Sequence, residues 1–71
     1  MYIVGKCRLN EILSEKKLSQ VELAEKLGMK KQQIHVYASG ESTMSLKTAK
    51  NIAYCLNISI DELYDFVWIE Q

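Results

Sequence analysis

SQVELAEKLGMKKQQIHVY, residues 19–37, carries the chain's clearest folding signal. It divides into two short amphipathic helices around Gly28. Ser19 is a ready N-cap, and Glu22 three residues on completes a capping box. The serine oxygen takes the amide of the third helical residue while the glutamate takes the amide of the cap. Val21, Leu23, Ala24 and Leu27 give the first helix an apolar stripe. Gly28 ends it, because the reversal calls for a positive φ that glycine adopts without steric cost. The small Ala24 lets a second helix cross close over the first.

That second helix, about 31–38, has two unlike sides. At about 100° per residue, Ile34, Tyr37 and Ala38 point one way. Gln32 and Val36 point the other, flanked by Gln33 and His35. Lys30 and Lys31 stand at its N-terminal tip. Lys30 takes the position where Ser, Thr or Asp would supply a cap, whose loss costs about 1 kcal/mol. Both cations oppose the positive end of the helix dipole. A helix start that breaks local rules while gathering amides and cations is shaped for an external anion, and such conflicts concentrate at functional sites.

Working outward, L-S-Q-V-E-L-A-E-K-L-G at 18–28, Ile34, S-G at 39–40 and S-L-K-T-A-K-N-I-A-Y-C-L-N-I-S-I-D-E-L at 45–63 keep one consistent spacing without gaps. Over 9–63 the chain resembles the Cro/phage-repressor-type (XRE-like) helix-turn-helix family of small bacterial and phage regulators. The resemblance implies an all-α, five-helix, lambda-repressor-like domain that binds double-stranded DNA and regulates transcription, most often by repression. It also implies a homodimer on a palindromic operator, with half-sites about 34 Å apart and the second helix of the motif in the major groove.

In that geometry base reading falls to Lys31, Gln32, Gln33 and Val36. A lysine reaches guanine O6 and N7, an amide pairs with adenine N6 and N7, and a valine meets a thymine methyl group. Contacts to the DNA backbone fall to Gln20, at the start of the motif's first helix, and to Lys30, His35, Tyr37, Ser39, Ser42 and Thr43. Relatives often carry a basic residue and a proline in the loop before the next helix. Here Glu41 and Met44 stand instead, which weakens that loop as a phosphate contact.

Seventy-one residues, 48% of them apolar, make one domain, residues 1–71. A chain this short buries only roughly 60% of its unfolded surface, so association with a second copy would help it. No apolar run is long enough to span a membrane, and the first residues lack the features of a signal peptide. A cytoplasmic location is expected. Cys7 and Cys55 read as free thiols in a reducing compartment, with too few ligands near them for zinc. The net charge is zero, yet unevenly placed: residues 1–50 hold all nine Lys/Arg against five Glu, and 51–71 hold four acids and no Lys or Arg. A neutral chain can therefore present a basic face.

Outside the motif, the pattern predicts a first helix over about 6–17 built on Leu9, Ile12 and Leu13. A fourth starts at Ser45 and buries Leu46, Ala49, Ile52, Ala53 and Leu56, with Asn57 as its left-handed C-terminal residue. Ser59 and Glu62 suggest a capping box for a fifth, about 60–65. The core thus runs over 6–65. The segments 1–5 and 66–71 remain: Met1–Val4 and Phe66–Ile69 are apolar and rich in strand formers. They are expected to pair as a small antiparallel β ribbon, marginal alone and therefore packed or joined to a second subunit. Tyr54, Ile58, Phe66 and Trp68 are the expected dimer residues.

One histidine, no glycine-rich phosphate loop and no carboxylates in an apolar pocket leave no catalytic constellation. No enzyme activity, cofactor, metal or small-molecule ligand is expected. The alternative to a DNA reader is an antitoxin-like or other protein-interaction module that keeps the helix-turn-helix fold. Zero net charge, Glu41 and Val36 favour it; the lysines and glutamines on the outward helix side disfavour it.

Overall fold

In the computed structural model, which describes residues 1–70, two terminal strands bracket four helices. The order is β1 (Tyr2–Cys7), α1 (Leu9–Glu15), α2 (Gln20–Leu27), α3 (Lys31–Ser39), α4 (Leu46–Leu56), a 3-10 turn (Ile60–Glu62) and β2 (Tyr64–Trp68). Leu9, Leu23, Ile34, Ile52 and Leu63 are fully buried and supply the centre of the core, one from each of α1 to α4 and one from the residue before β2. Burying a side chain of this size is worth about 1.5–3 kcal/mol. No helix among the described residues is long and apolar enough to cross a membrane.

The local signals at the helix ends hold. Ser19 Oγ accepts the Glu22 amide at 3.0 Å, and Glu22 Oε1 accepts the Ser19 amide at 3.2 Å. Gly28 sits in the left-handed region at φ 66°. Ser45 Oγ accepts from the Thr48 amide at 3.2 Å, and Asn57 closes α4 at φ 57°. Cys7 is buried and Cys55 half-buried, both as free thiols.

The terminal ribbon also forms, antiparallel, with Tyr2 opposite Trp68, Ile3 opposite Val67 and Val4 opposite Phe66. Beyond the strand, the Ile69 amide donates to the Met1 carbonyl at 2.8 Å. Cys7 pairs with Tyr64, so Gly5 and Lys6 together oppose Asp65 alone, a β-bulge. Gly5 allows it: a Cβ there would stand 2.6 Å from the Asp65 carbonyl oxygen. Exposure rises along β2, from buried Tyr64 through Phe66 at 37% to Trp68 at 56%. The ribbon therefore leaves the core as it goes, and the molecule measures 42 by 21 by 19 Å.

Among the described residues there are four helices, not five: residues 60–62 make one 3-10 turn, Ser59 makes no side-chain cap, and Tyr64 pairs in β2. The first helix starts at Leu9, not Lys6, because Gly5 bends the strand without ending it. Leu46 is 77% exposed; the first turn of α4 overhangs the core that Ala49, Ile52, Ala53 and Leu56 cover. Val21 is 43% exposed, since Leu23 and Ala24 set the buried side of α2 and Val21 lies at its margin.

Candidate nucleic-acid interface

Ile34 is the pin of α3. It is fully buried, with Tyr37 and Ala38 half-buried beside it against the core. One residue type in three or four faces inward, so the rest of the helix is left to solvent. Lys31, Gln32, His35 and Val36 line one open depression of about 490 Å³ on that outward side. Lys31, Gln32 and His35 are exposed and Val36 is half-buried. This gathers one cation, one amide, one imidazole and one apolar side chain on a single face.

Lys30 is the residue before α3, extended at φ −83° and ψ 144°. Its side chain has no acceptor, so it cannot cap the first turn. The reciprocal half of a capping box is present instead: Gln33 Oε1 accepts the Lys30 amide at 3.1 Å. Gln33 is exposed, and its oxygen is oriented toward the helix start by the Lys30 amide, which leaves its NH₂ free to donate outward. Lys30 and Lys31 are both exposed at this tip, where the dipole favours an anion.

The expected backbone-contact residues divide into three places. Gln20, the first residue of α2, is half-buried and donates from Nε2 to Asn10 Oδ1 at 2.9 Å, which ties α2 to α1. Tyr37 lies half-buried on the inward side of α3. Ser39, Ser42 and Thr43 are exposed at the far end of α3 and in the loop after it, and Ser39 Oγ donates to the Val36 carbonyl at 3.1 Å. Those last three line a second depression, of about 320 Å³, together with Lys6 from the bulge.

Sequence reasoning missed the residues that hold this loop. Met44 is buried, and its amide donates to the Tyr64 hydroxyl at 3.0 Å. Burial raises the Tyr64 pKa above its ordinary value, partly countered by the Met44 amide. The available signal was the mismatch itself: an apolar Met in an otherwise polar loop.

The expected dimer residues lie on different elements: Tyr54 on α4, Ile58 just after it, and Phe66 and Trp68 on β2. Tyr54 is 85% exposed and borders a depression with Leu27, Lys50 and Asn51. Ile58 is half-buried against the core. Phe66 and Trp68 belong to the ribbon, where Trp68 meets Tyr2 edge-on at 5.1 Å. Among the described residues no group of three or more His, Cys, Asp or Glu could hold a metal ion.

A helix-turn-helix family model matches residues 9–63, from the start of α1 to the last residue before β2. The chain belongs to the XRE-type helix-turn-helix family. Two Bacillus subtilis relatives are the SPbeta prophage-derived uncharacterized HTH-type transcriptional regulators YopS and YotL. The first is 38% identical over 64 residues, covering 89% of this chain and 86% of YopS. The second is 42% identical over 62 residues, covering 86% and 75%. The fold is also that of a solved structure, described as a "putative DNA-binding protein from Bacteroides fragilis". It matches with a TM-score of 0.78 at 28% identity, over 92% of this chain and 100% of that one. The family's members are DNA-binding regulators, typically without enzymatic activity.

Proposed function

We propose that the chain, residues 1–71 acting as one domain, is a sequence-specific regulator that binds double-stranded DNA in the major groove, as a homodimer on a palindromic operator. Its action is repression, by occupying promoter DNA, and its location is the cytoplasm, where that DNA is. The observation that carries the reading is the outward side of α3, where Lys31, Gln32, His35 and Val36 line one open depression over the buried Ile34.

The chemistry assigns the roles. Gln32 has both amide atoms available and pairs with adenine N6 and N7, while Lys31 donates to guanine O6 and N7. Gln33, with its oxygen turned toward Lys30, serves as a donor through its NH₂. Val36 meets a thymine methyl group. Lys30 and His35 flank these readers and contact phosphate, as do Gln20, Tyr37, Ser39, Ser42 and Thr43. One helix of nine residues spans only about 14 Å, so a second copy is needed for a full site. The ribbon supports that copy: eight apolar side chains in 1–4 and 66–69 are 37% to 66% exposed. Phe66 and Trp68 form the seam, and Tyr54 and Ile58 are assigned to the same interface.

Mobility-shift titration at 50 and 200 mM salt tests the reading. A DNA reader that neutralises several phosphates loses affinity steeply with salt, with a log–log slope of about −0.9 per phosphate. Absence of binding to any duplex at low salt would leave the antitoxin-like interaction module as the better account, and co-purification of a partner protein would then identify it.

A further inference from the structure

The bulge in β1 has a consequence for the loop after α3. That loop carries hydroxyls but no cation: Ser42 and Thr43 are flanked by Glu41 and by the buried Met44. The depression they border is completed from the opposite end of the chain, by Gly5 and Lys6 of β1. We propose that Lys6 supplies the cation of a phosphate-binding cleft formed with Ser42 and Thr43, so that the terminal ribbon contributes directly to holding the DNA backbone. The proposal rests on the DNA-binding reading and adds a contact from outside the helix-turn-helix.

Three observations carry it. The two-against-one pairing of Gly5 and Lys6 with Asp65 changes the side-chain alternation of β1 at Lys6, as bulges do. The Lys6 side chain is 75% exposed, and its ion pair with Glu11 is long, at 3.9 Å. Glu11 has a nearer partner in Arg8, at 3.4 Å, so Lys6 can leave without stranding a charge. The loop's position is in turn fixed by the buried hydrogen bond from Met44 to Tyr64 in β2. One ribbon therefore both anchors the loop and brings it a lysine.

Lys6→Gln tests this with a random-sequence 30-base-pair duplex as the probe, since phosphate contacts do not depend on sequence. Lys16→Gln, a charge removal at the end of α1 on a different depression, is the matched variant. The expected result is a salt slope shallower by about 0.9 for Lys6→Gln, with Lys16→Gln unchanged and both proteins as helical as the parent. A Lys6→Gln slope equal to the parent's, or an equal loss from both variants, overturns the cleft while leaving DNA binding standing. A parent protein that binds no duplex overturns both.

Discussion

The Met44 amide donates a 3.0 Å hydrogen bond to the Tyr64 hydroxyl, joining the loop after α3 to the C-terminal strand across twenty residues of sequence. Both residues are buried. The bond matters because α3 must be held from both ends for its outward side to stay in register with a groove. At the near end Gly28 and the Gln33–Lys30 bond do this; at the far end Tyr64 does it through Met44.

Tyr64→Phe removes the acceptor and leaves a buried amide without a partner, at a cost of about 1–3 kcal/mol. Urea denaturation should show that loss. It also has a pH signature. Burial raises the Tyr64 pKa above 10.0, so the unfolded chain releases this proton first. The contribution is complete below pH 10 and is lost as pH rises through the raised value. Stability of the parent should fall as pH rises above about 10, and Tyr64→Phe should flatten that decline.

Gly5→Ala places a methyl group 2.6 Å from the Asp65 carbonyl oxygen. Backbone cannot yield as a side chain would, so the strands must part at the bulge. The expected cost is about 1–3 kcal/mol in thermal or chemical denaturation. A neutral result would mean that the two strands approach less closely than this.

Lys30→Ser separates stability from binding. Serine can accept the first-turn amide that lysine cannot, worth about 1 kcal/mol, and removes a cation from the helix tip. The variant should melt higher and bind DNA more weakly, with a shallower salt slope. Higher stability with unchanged binding would take Lys30 out of the interface.

Truncation after Asp65 removes Phe66 and Trp68 but keeps Tyr64. By sedimentation it should stay monomeric at concentrations where the full chain is expected to dimerise, with its helical circular dichroism retained. Trp68→Lys should weaken association in the same direction if the shorter chain does not fold. Unchanged dimer affinity in both would exclude the ribbon as the seam.

Much of this architecture was legible because its determinants are local. The Ser19–Glu22 box, Gly28, Ser45 and Asn57 act within four residues of themselves, and each behaves as its chemistry dictates. The ribbon was legible from two apolar, strand-prone ends. What escaped depended on contacts far apart in sequence. Residues 63–65 carry a helical signal, yet Tyr64 pairs with Cys7, 57 positions away, and that pairing outweighs local preference. Met44 lies in the loop, and its burial depends on Tyr64, twenty residues on. Gln33 looked like a free reader because the missing cap at Lys30 gave no hint that Gln33 itself would supply it. Lys6 could not be placed near Ser42 before the bulge was seen.

Selection of bound sequences from a random duplex pool, run in parallel for the parent and Gln32→Ala, probes the outward side of α3. The expected outcome for the parent is a twofold-symmetric motif. For Gln32→Ala it is the same motif with about 1–3 kcal/mol of discrimination lost at one position in each half-site. A pool that stays random for the parent, or an identical preference at every position in the variant, would contradict this role for α3.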